Sequence, residues 1–434
     1  MAWRRSNHRS NPDPEYGGPV PVKGGSHRLA AMFNAGAITL PRGEMIATKP
    51  LQKASLSPGI RSGFVVGVNG LRMHILEAGF EEQDRPCVLL LHGFPELAYS
   101  WRKVMLPLAD AGFHVIAPDQ RGYGRTTGWD ARYDGDVGSF SLLNIVRDAL
   151  ALVFALGHRS VVAVVGHDFG SPVAAYCGLV RPDVFRSVVL MSAPFAGPSA
   201  LAFNTVGQHQ DNGAARPASS IHDQLAALDP PRKHYQWYYS TREANENMHR
   251  CPQGVHAFLR AYYHHKSADW AGNKPFPLAS WTASELAKLP PYYVMRLEKG
   301  MAETVASEMP TAAHIAACQW LPEEELKVYS TEYDRTGFQG GLQWYRCATG
   351  ARYISELTLF SGRTIDVPSC FISGASDWGN HQMPGALQQM QTSACTHMVG
   401  CHLIEGAGHW VQQEQPQEVS RLLLQFLDQA RSPP

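Results

Sequence analysis

The 434-residue chain lacks a charge imbalance: 38 Lys and Arg offset 38 Asp and Glu. No basic field is available to attract nucleic acid or an anionic membrane surface. It also lacks an apolar run long enough to span a bilayer. The eight cysteines, at 87, 177, 251, 318, 347, 370, 395 and 401, show no C-x-x-C spacing. That argues against a zinc site or a disulfide framework. Cys87 and Cys370 fall instead in strand-like apolar runs, where a free thiol behaves as a small hydrophobe. The His264-His265 pair finds no second pair at ligand spacing, so a solvated surface is expected for it. These absences predict a soluble protein of a reducing, cytoplasmic compartment, with neither metal nor cofactor. Its oligomeric state is left open.

What is present is enough apolar material for a large core: 44% hydrophobic against 18% charged residues. Residues 1–58 read as a poorly ordered tail, rich in Gly, Pro, Ser and Asn. Within 1–53, eight Lys/Arg face three acidic residues, a net charge of +5, and no apolar h-region follows Arg4-Arg5. Order is expected to begin near Gly63. Phe64–Val68 and Leu71–Leu76 flank Asn69-Gly70, a strong hairpin signal. Strands at Cys87–Leu91, His114–Pro118, Ser160–Val165 and Ser187–Met191 then alternate with helices at Leu142–Leu156 and from Ser171. Such alternation predicts an α/β fold with a mostly parallel, doubly wound sheet. Residues 59–196 would form its first part. From 197 to 350 the pattern turns aromatic and helical, as in His234-Tyr235-Gln236-Trp237-Tyr238-Tyr239, and an inserted lid is expected. Strand–helix alternation resumes over 351–434, with strands at Val367–Ile372 and Met398–Ile404 and a last helix at Pro416–Ala430. The polar stretch Gln208–Ser220 has no evident role.

The most informative segment is Gly166-His167-Asp168-Phe169-Gly170, at the end of an apolar strand. It has the outline of a nucleophile elbow, G-x-S-x-G, with Asp in place of Ser. Serine attacking a saturated carbon would give a stable ether. Aspartate gives an ester, which water can cleave. A carboxylate is also ionised at neutral pH without help, with an ordinary pKa of about 3.9. A plain strand–turn–helix junction with Asp168 as N-cap is the alternative. Two later loops weigh against it: Gly374-Ala375-Ser376-Asp377-Trp378-Gly379 and Gly406-Ala407-Gly408-His409-Trp410. Each follows a predicted strand, at the carboxyl edge where open α/β sheets place their sites. The order nucleophile, acid, histidine makes Asp168, Asp377 and His409 a candidate triad. In it Asp377 would orient His409, the general base. The main-chain N–H groups of Phe94, in His92-Gly93-Phe94-Pro95-Glu96, and of Phe169 are candidate oxyanion donors. Asp119-Gln120-Arg121-Gly122-Tyr123-Gly124-Arg125 reads as structural: glycine turns and an Asp/Arg pair.

Taken together, HGFPE, DQRGYGRT, GHDFG and the late D-W-G and G-H-W resemble the epoxide hydrolase branch of the α/β-hydrolase superfamily, over residues from about 60 to 430. The resemblance implies two lid tyrosines that donate hydrogen bonds to the epoxide oxygen. Tyr235, in Lys233-His234-Tyr235-Gln236, and Tyr345, at the end of Phe338-Gln339-Gly340-Gly341-Leu342-Gln343-Trp344-Tyr345, match those segments. For each the alternative is a packed aromatic, as at Tyr238, Tyr239, Tyr262 and Tyr263. Glu96 and His167 match family positions near the hydrolytic water, or serve the structure. The implied reaction adds water to a small apolar epoxide through an Asp168 ester, giving a vicinal diol. One departure is Phe169, where the branch usually has Trp. Two rival readings are a haloalkane or haloacid dehalogenase using the same Asp, and a non-catalytic ligand-binding protein of this fold. The first would need side-chain N–H donors for halide, and neither Phe94 nor Phe169 offers one.

Overall fold

The computed structural model describes residues 48–82, 84–201 and 220–431. The tail expected at the N-terminus lies mostly outside the described residues, as does most of Gln208–Ser220. Among the described residues ten strands occur: β1 (Ile60–Val68), β2 (Leu71–Ala78), β3 (Cys87–Leu91), β4 (His114–Pro118), β5 (Ala163–His167), β6 (Val188–Met191), β7 (Arg232–His234), β8 (Val294–Arg296), β9 (Ser369–Gly374) and β10 (Met398–Ile404). Eight form one sheet in the order β1-β2-β4-β3-β5-β6-β9-β10. The β1/β2 and β2/β4 pairs are antiparallel, and every pair from β4 to β10 is parallel.

The Asn69-Gly70 hairpin forms as expected. Both residues take positive φ, 49° and 83°, which gives the turn a twist that matches its strands. The central strands β3, β5, β6 and β9 are buried along their whole length, which is why they read as unbroken apolar runs. Helices Leu142–Ala155 and Gly170–Val180 cover one face, and helices Arg102–Asp110 and Pro416–Arg431 cover the other. The chain leaves the sheet after β6 and rejoins it at β9. Between them lie mainly short helices, plus the two-stranded β7/β8 ribbon that the sequence did not signal. Ser220 closes a capping box on the helix Ile221–Ala226.

Two local expectations need correction. His265 is not solvated: it is fully buried. Its ring packs 4.4 Å from that of Trp270 and 4.8 Å from that of Tyr292, and burial pulls its pKa down to about 3. The Asp/Arg pair within 119–125 is also not made. Asp119 binds His74 Nδ1 at 2.7 Å and the Ala98 and Arg125 N–H groups at 2.9 Å. Arg121 instead pairs with Asp148 at 2.7 Å, and Arg125 with Glu332 of the inserted segment.

Candidate active site

Asp168 stands on the turn between β5 and the helix Gly170–Val180, with φ of 51°. A non-glycine residue in this left-handed region is uncommon and stores backbone strain. The turn closes only because its flanks are bare. A Cβ on Gly166 would meet Gly170 O at 2.0 Å, and one on Gly170 would meet Leu91 O at 2.3 Å.

The carboxyl edge of the sheet gathers the three candidate triad residues from β5, β9 and β10. His409 Nε2 lies 3.1 Å from Asp168 Oδ2, and His409 Nδ1 lies 3.1 Å from both Asp377 oxygens. Asp377 also accepts from Gly379 N at 2.7 Å and Ser373 Oγ at 3.2 Å. Burial alone would raise the pKa of both carboxyls, but the hydrogen bonds and charge of His409, with the charge of Lys266, hold both below the ordinary range. Phe94 N donates to Asp168 Oδ1 at 2.9 Å. The Phe169 N–H borders the same space: a Cβ on Gly93 would fall 2.7 Å from it. The Phe94–Pro95 bond is cis.

Glu96 and His167 form a buried pair, Oε2 to Nδ1 at 2.6 Å. Burial opposes charging either group, yet each stabilises the other's charged form, so Glu96 is lowered and His167 raised. The pair braces the surrounding loops. His167 Nε2 donates to His409 O at 2.7 Å, and Glu96 Oε1 accepts from Gln412 at 2.9 Å and Gln413 at 3.2 Å.

Above Asp168 lies a cavity of about 380 Å³. Its walls include Phe140, Ile145, Phe169, Trp344 and Leu357, with Tyr235 and Tyr345 among the lining residues. The Tyr345 ring packs 5.5 Å from Phe94 and 5.0 Å from Phe169, and its hydroxyl meets no protein partner among the described residues. Tyr235 donates to Gln382 Oε1 at 3.2 Å and accepts from Gln236 Nε2 at 3.3 Å. Burial, reinforced by the charge of Asp168, raises both phenols well above the ordinary value, so both stay protonated. Neighbouring tyrosines are spent elsewhere: Tyr238 on Asn247, Tyr239 on Tyr262, and Tyr263 on Pro95 O.

The alpha/beta hydrolase fold family matches residues 86–416. Epoxide hydrolase A of Mycobacterium tuberculosis is 32% identical over 370 residues, covering 84% of this chain and 96% of its own. An epoxide hydrolase of Caballeronia sordidicola is 31% identical, over 86% of this chain and 95% of its own. The chain belongs to the epoxide hydrolase family. Solved structures of the family agree. An epoxide hydrolase from an endophytic Streptomyces superposes with a TM-score of 0.68 at 32% identity, over 86% of this chain and 97% of that one. Potato epoxide hydrolase I does so at 0.64 and 29% identity, over 85% and 99%.

Sequence reasoning missed three features of the site. Gln382, which holds the Tyr235 hydroxyl, follows the Asp377 loop and had no motif of its own. Glu414 takes the N–H groups of Gly408 and Trp410, on either side of His409, and of Ala268 from the lid, at 2.8 to 2.9 Å. Burial pushes its carboxyl up to about 8 against the pull of those donors. Its trace in the sequence is a carboxylate in the first turn of a helix, where the N–H groups are unpaired. The third is the function of DQRGYGRT as the seat of the lid. Gly340 approaches so closely that its Cβ would lie 2.0 Å from Gly122 O, and Trp344 Nε1 donates to Arg121 O at 2.9 Å. That contact sets Tyr345 over Asp168. Among the described residues no group of three metal-binding side chains is placed to hold an ion, and no helix is long and apolar enough to cross a membrane.

Proposed function

We propose that the protein hydrolyses small apolar epoxides to vicinal diols through a covalent ester on Asp168. The observation that carries this reading is the position of two protonated phenols, Tyr235 and Tyr345, in the same apolar cavity as an ionised aspartate backed by His409. Phe94 N–H engages Oδ1, which leaves Oδ2 as the attacking atom. It displaces the epoxide oxygen from a ring carbon while Tyr235 and Tyr345 donate to the developing alkoxide. The ester then has Oδ1 as its carbonyl oxygen, already beside the Phe94 and Phe169 N–H groups. His409, held by Asp377, takes a proton from water, and the hydroxide adds at Cγ. Collapse of the tetrahedral intermediate breaks the Cγ–Oδ2 bond and expels that oxygen with the product. The two protons of the water, one on the new carboxyl and one on His409, pass to the two alkoxide oxygens, so the diol leaves neutral and Asp168 is again a carboxylate that keeps the water oxygen. Gln412, Gln413 and the Glu96–His167 pair keep the His409 loop in register through both steps.

Departure of a halide would instead call for N–H donors in the cavity wall. The Trp344 indole N–H goes to Arg121 O and the Gln236 amide N–H to the Tyr235 hydroxyl, which among the described residues leaves the Gln382 amide in that wall without the second donor that halide binding calls for, and this supports the epoxide reading over dehalogenation. The direct test is intact-protein mass spectrometry of His409→Gln with an epoxide panel. One alkyl adduct, mapped to Asp168, is expected. An adduct on another residue, or none while the wild type turns over, contradicts the proposal.

A further inference from the structure

Lys266 ends the lid helix Gly254–Lys266 and is only 3% exposed. Its ammonium lies inside an aromatic cage, 5.6 Å from the Tyr262 ring centroid, 5.8 Å from Tyr292, 5.1 Å from Tyr293 and 5.4 Å from Trp410. Among the described residues no carboxylate comes within 4.0 Å of it. A buried charge without a direct partner is costly and is uncommon without a function. Ring quadrupoles and the negative end of the helix meet part of that cost.

The cage adjoins the catalytic groups. Tyr293 packs 5.1 Å from Tyr235, and Trp410 adjoins His409 in sequence with ring centroids 4.7 Å apart. The Lys266 carbonyl, one of those a helix end leaves unpaired, accepts the His409 N–H at 2.9 Å. The helix terminus therefore holds the backbone of the base, and its ammonium and the His409 ring both pack against Trp410. Several charged or titratable groups surround that ammonium: Asp168 on the nucleophile turn, Asp377 after β9, and Glu96, paired with His167, after β3. His409 and Glu414 follow β10, and His265, held neutral by burial, is its neighbour on the helix. Desolvation lowers the Lys266 pKa, and the charges of Asp168, Asp377 and Glu96 resist that fall.

We propose that Lys266 is a positioning residue for the hydrolytic half-reaction: its caged ammonium is the positive charge that offsets the site's carboxylates and lets His409 shed its proton once Asp168 is esterified. The role rests on the reaction proposed above. While Asp168 is a carboxylate, it and Asp377 both favour imidazolium. Esterification removes one of those charges, and Lys266 then tips the remaining balance toward the neutral base that must accept a proton from water. The same charge favours the oxyanion that follows at Asp168.

The test compares wild type, Lys266→Met and Lys266→Arg. Methionine keeps an unbranched stem suited to an aromatic cage, and a thermal melt checks that each variant folds. Two readouts are taken: the NMR titration midpoint of the His409 ring in the ligand-free enzyme, and the pH profile of alkyl-enzyme decay in single turnovers. A unit charge lost roughly 10 Å from a titrating group in a partly screened interior moves it by about one pH unit. Lys266→Met should raise the midpoint and shift the acid limb of decay upward by about that much, slowing hydrolysis roughly tenfold below the limb, and Lys266→Arg should restore both. A folded Lys266→Met with an unmoved midpoint and limb overturns the proposal and leaves Lys266 as packing. If the midpoint moves while wild type forms no Asp168 adduct, the electrostatic role stands and the epoxide reading is what fails.

Discussion

Replacing Tyr345 by Phe should cost more activity than replacing Tyr235, although both face Asp168. Each change removes one donor to the alkoxide, which for a preorganised oxyanion donor costs about 3 kcal/mol, or roughly a hundredfold in rate. The two hydroxyls do not start from the same state. Tyr345 has no protein partner to give up, whereas Tyr235 must release Gln382 Oε1, 3.2 Å away, before it can donate to the ring oxygen. A neutral hydrogen bond is worth about 1 kcal/mol net, so the useful contribution of Tyr235 falls to about 2 kcal/mol, or roughly thirtyfold. The 1 kcal/mol difference means that Tyr345→Phe should slow the alkylation step about five times more than Tyr235→Phe. The double variant should be nearly inactive, because no donor remains over the ring. Single-turnover formation of the Asp168 ester, followed by quench and mass spectrometry, isolates this step from hydrolysis. Equal losses, or a larger loss from Tyr235→Phe, would refute the reasoning from Gln382. Near wild-type ester formation in the double variant would refute the role of both phenols.

Asp168→Asn should abolish turnover from the first cycle, since an amide is a poor nucleophile; measurable diol from the purified variant would count against Asp168. Gly340→Ala should displace the helix Gln339–Thr349, because its Cβ would fall 2.0 Å from Gly122 O. A misplacement of about 1 Å at Tyr345 can cost roughly a hundredfold in kcat, and Gly340→Ala activity within a factor of two of wild type would show that this seat does not matter. The Glu96–His167 pair makes a signed prediction for stability. The lowered Glu96 contributes stability above its unfolded pKa of about 4.3 and loses it as pH falls through the folded value. The raised His167 contributes fully below about 6.5 and loses its share as pH rises through the folded value. The Tm difference between wild type and the double variant Glu96→Gln with His167→Gln should thus be largest between those limits, and a difference flat from pH 4 to 9 would contradict the ion pair.

Features set by short stretches of chain were legible in the sequence. Asn69-Gly70 dictates its own turn, the β3 and β4 runs carry their burial in their composition, and the glycines around Asp168 mark a turn that few other residues allow. Boundaries were less so where apolar character outlasts pairing. The strand expected at Ser160–Val165 is observed as Ala163–His167, with Val161 making only an isolated bridge to Phe185. What sequence reading could not reach was set by partners far away along the chain. Lys266 looks like an ordinary basic residue at a helix end until Tyr292, Tyr293 and Trp410 close around it. His265 looked polar because Tyr292, which buries it, belongs to another segment. Tyr235 was separable from Tyr238 and Tyr239 only by resemblance. The fold separates them physically, by turning the latter two hydroxyls onto Asn247 and Tyr262.

The central claim is that the oxygen entering the diol comes from Asp168 and not directly from water. It is tested most directly by one turnover of excess enzyme on an epoxide in heavy-oxygen water. Unlabelled diol is predicted, with a single heavy oxygen in the peptide that carries Asp168. Labelled diol with an unlabelled Asp168 peptide would mean that water attacks the epoxide itself, and would contradict the account.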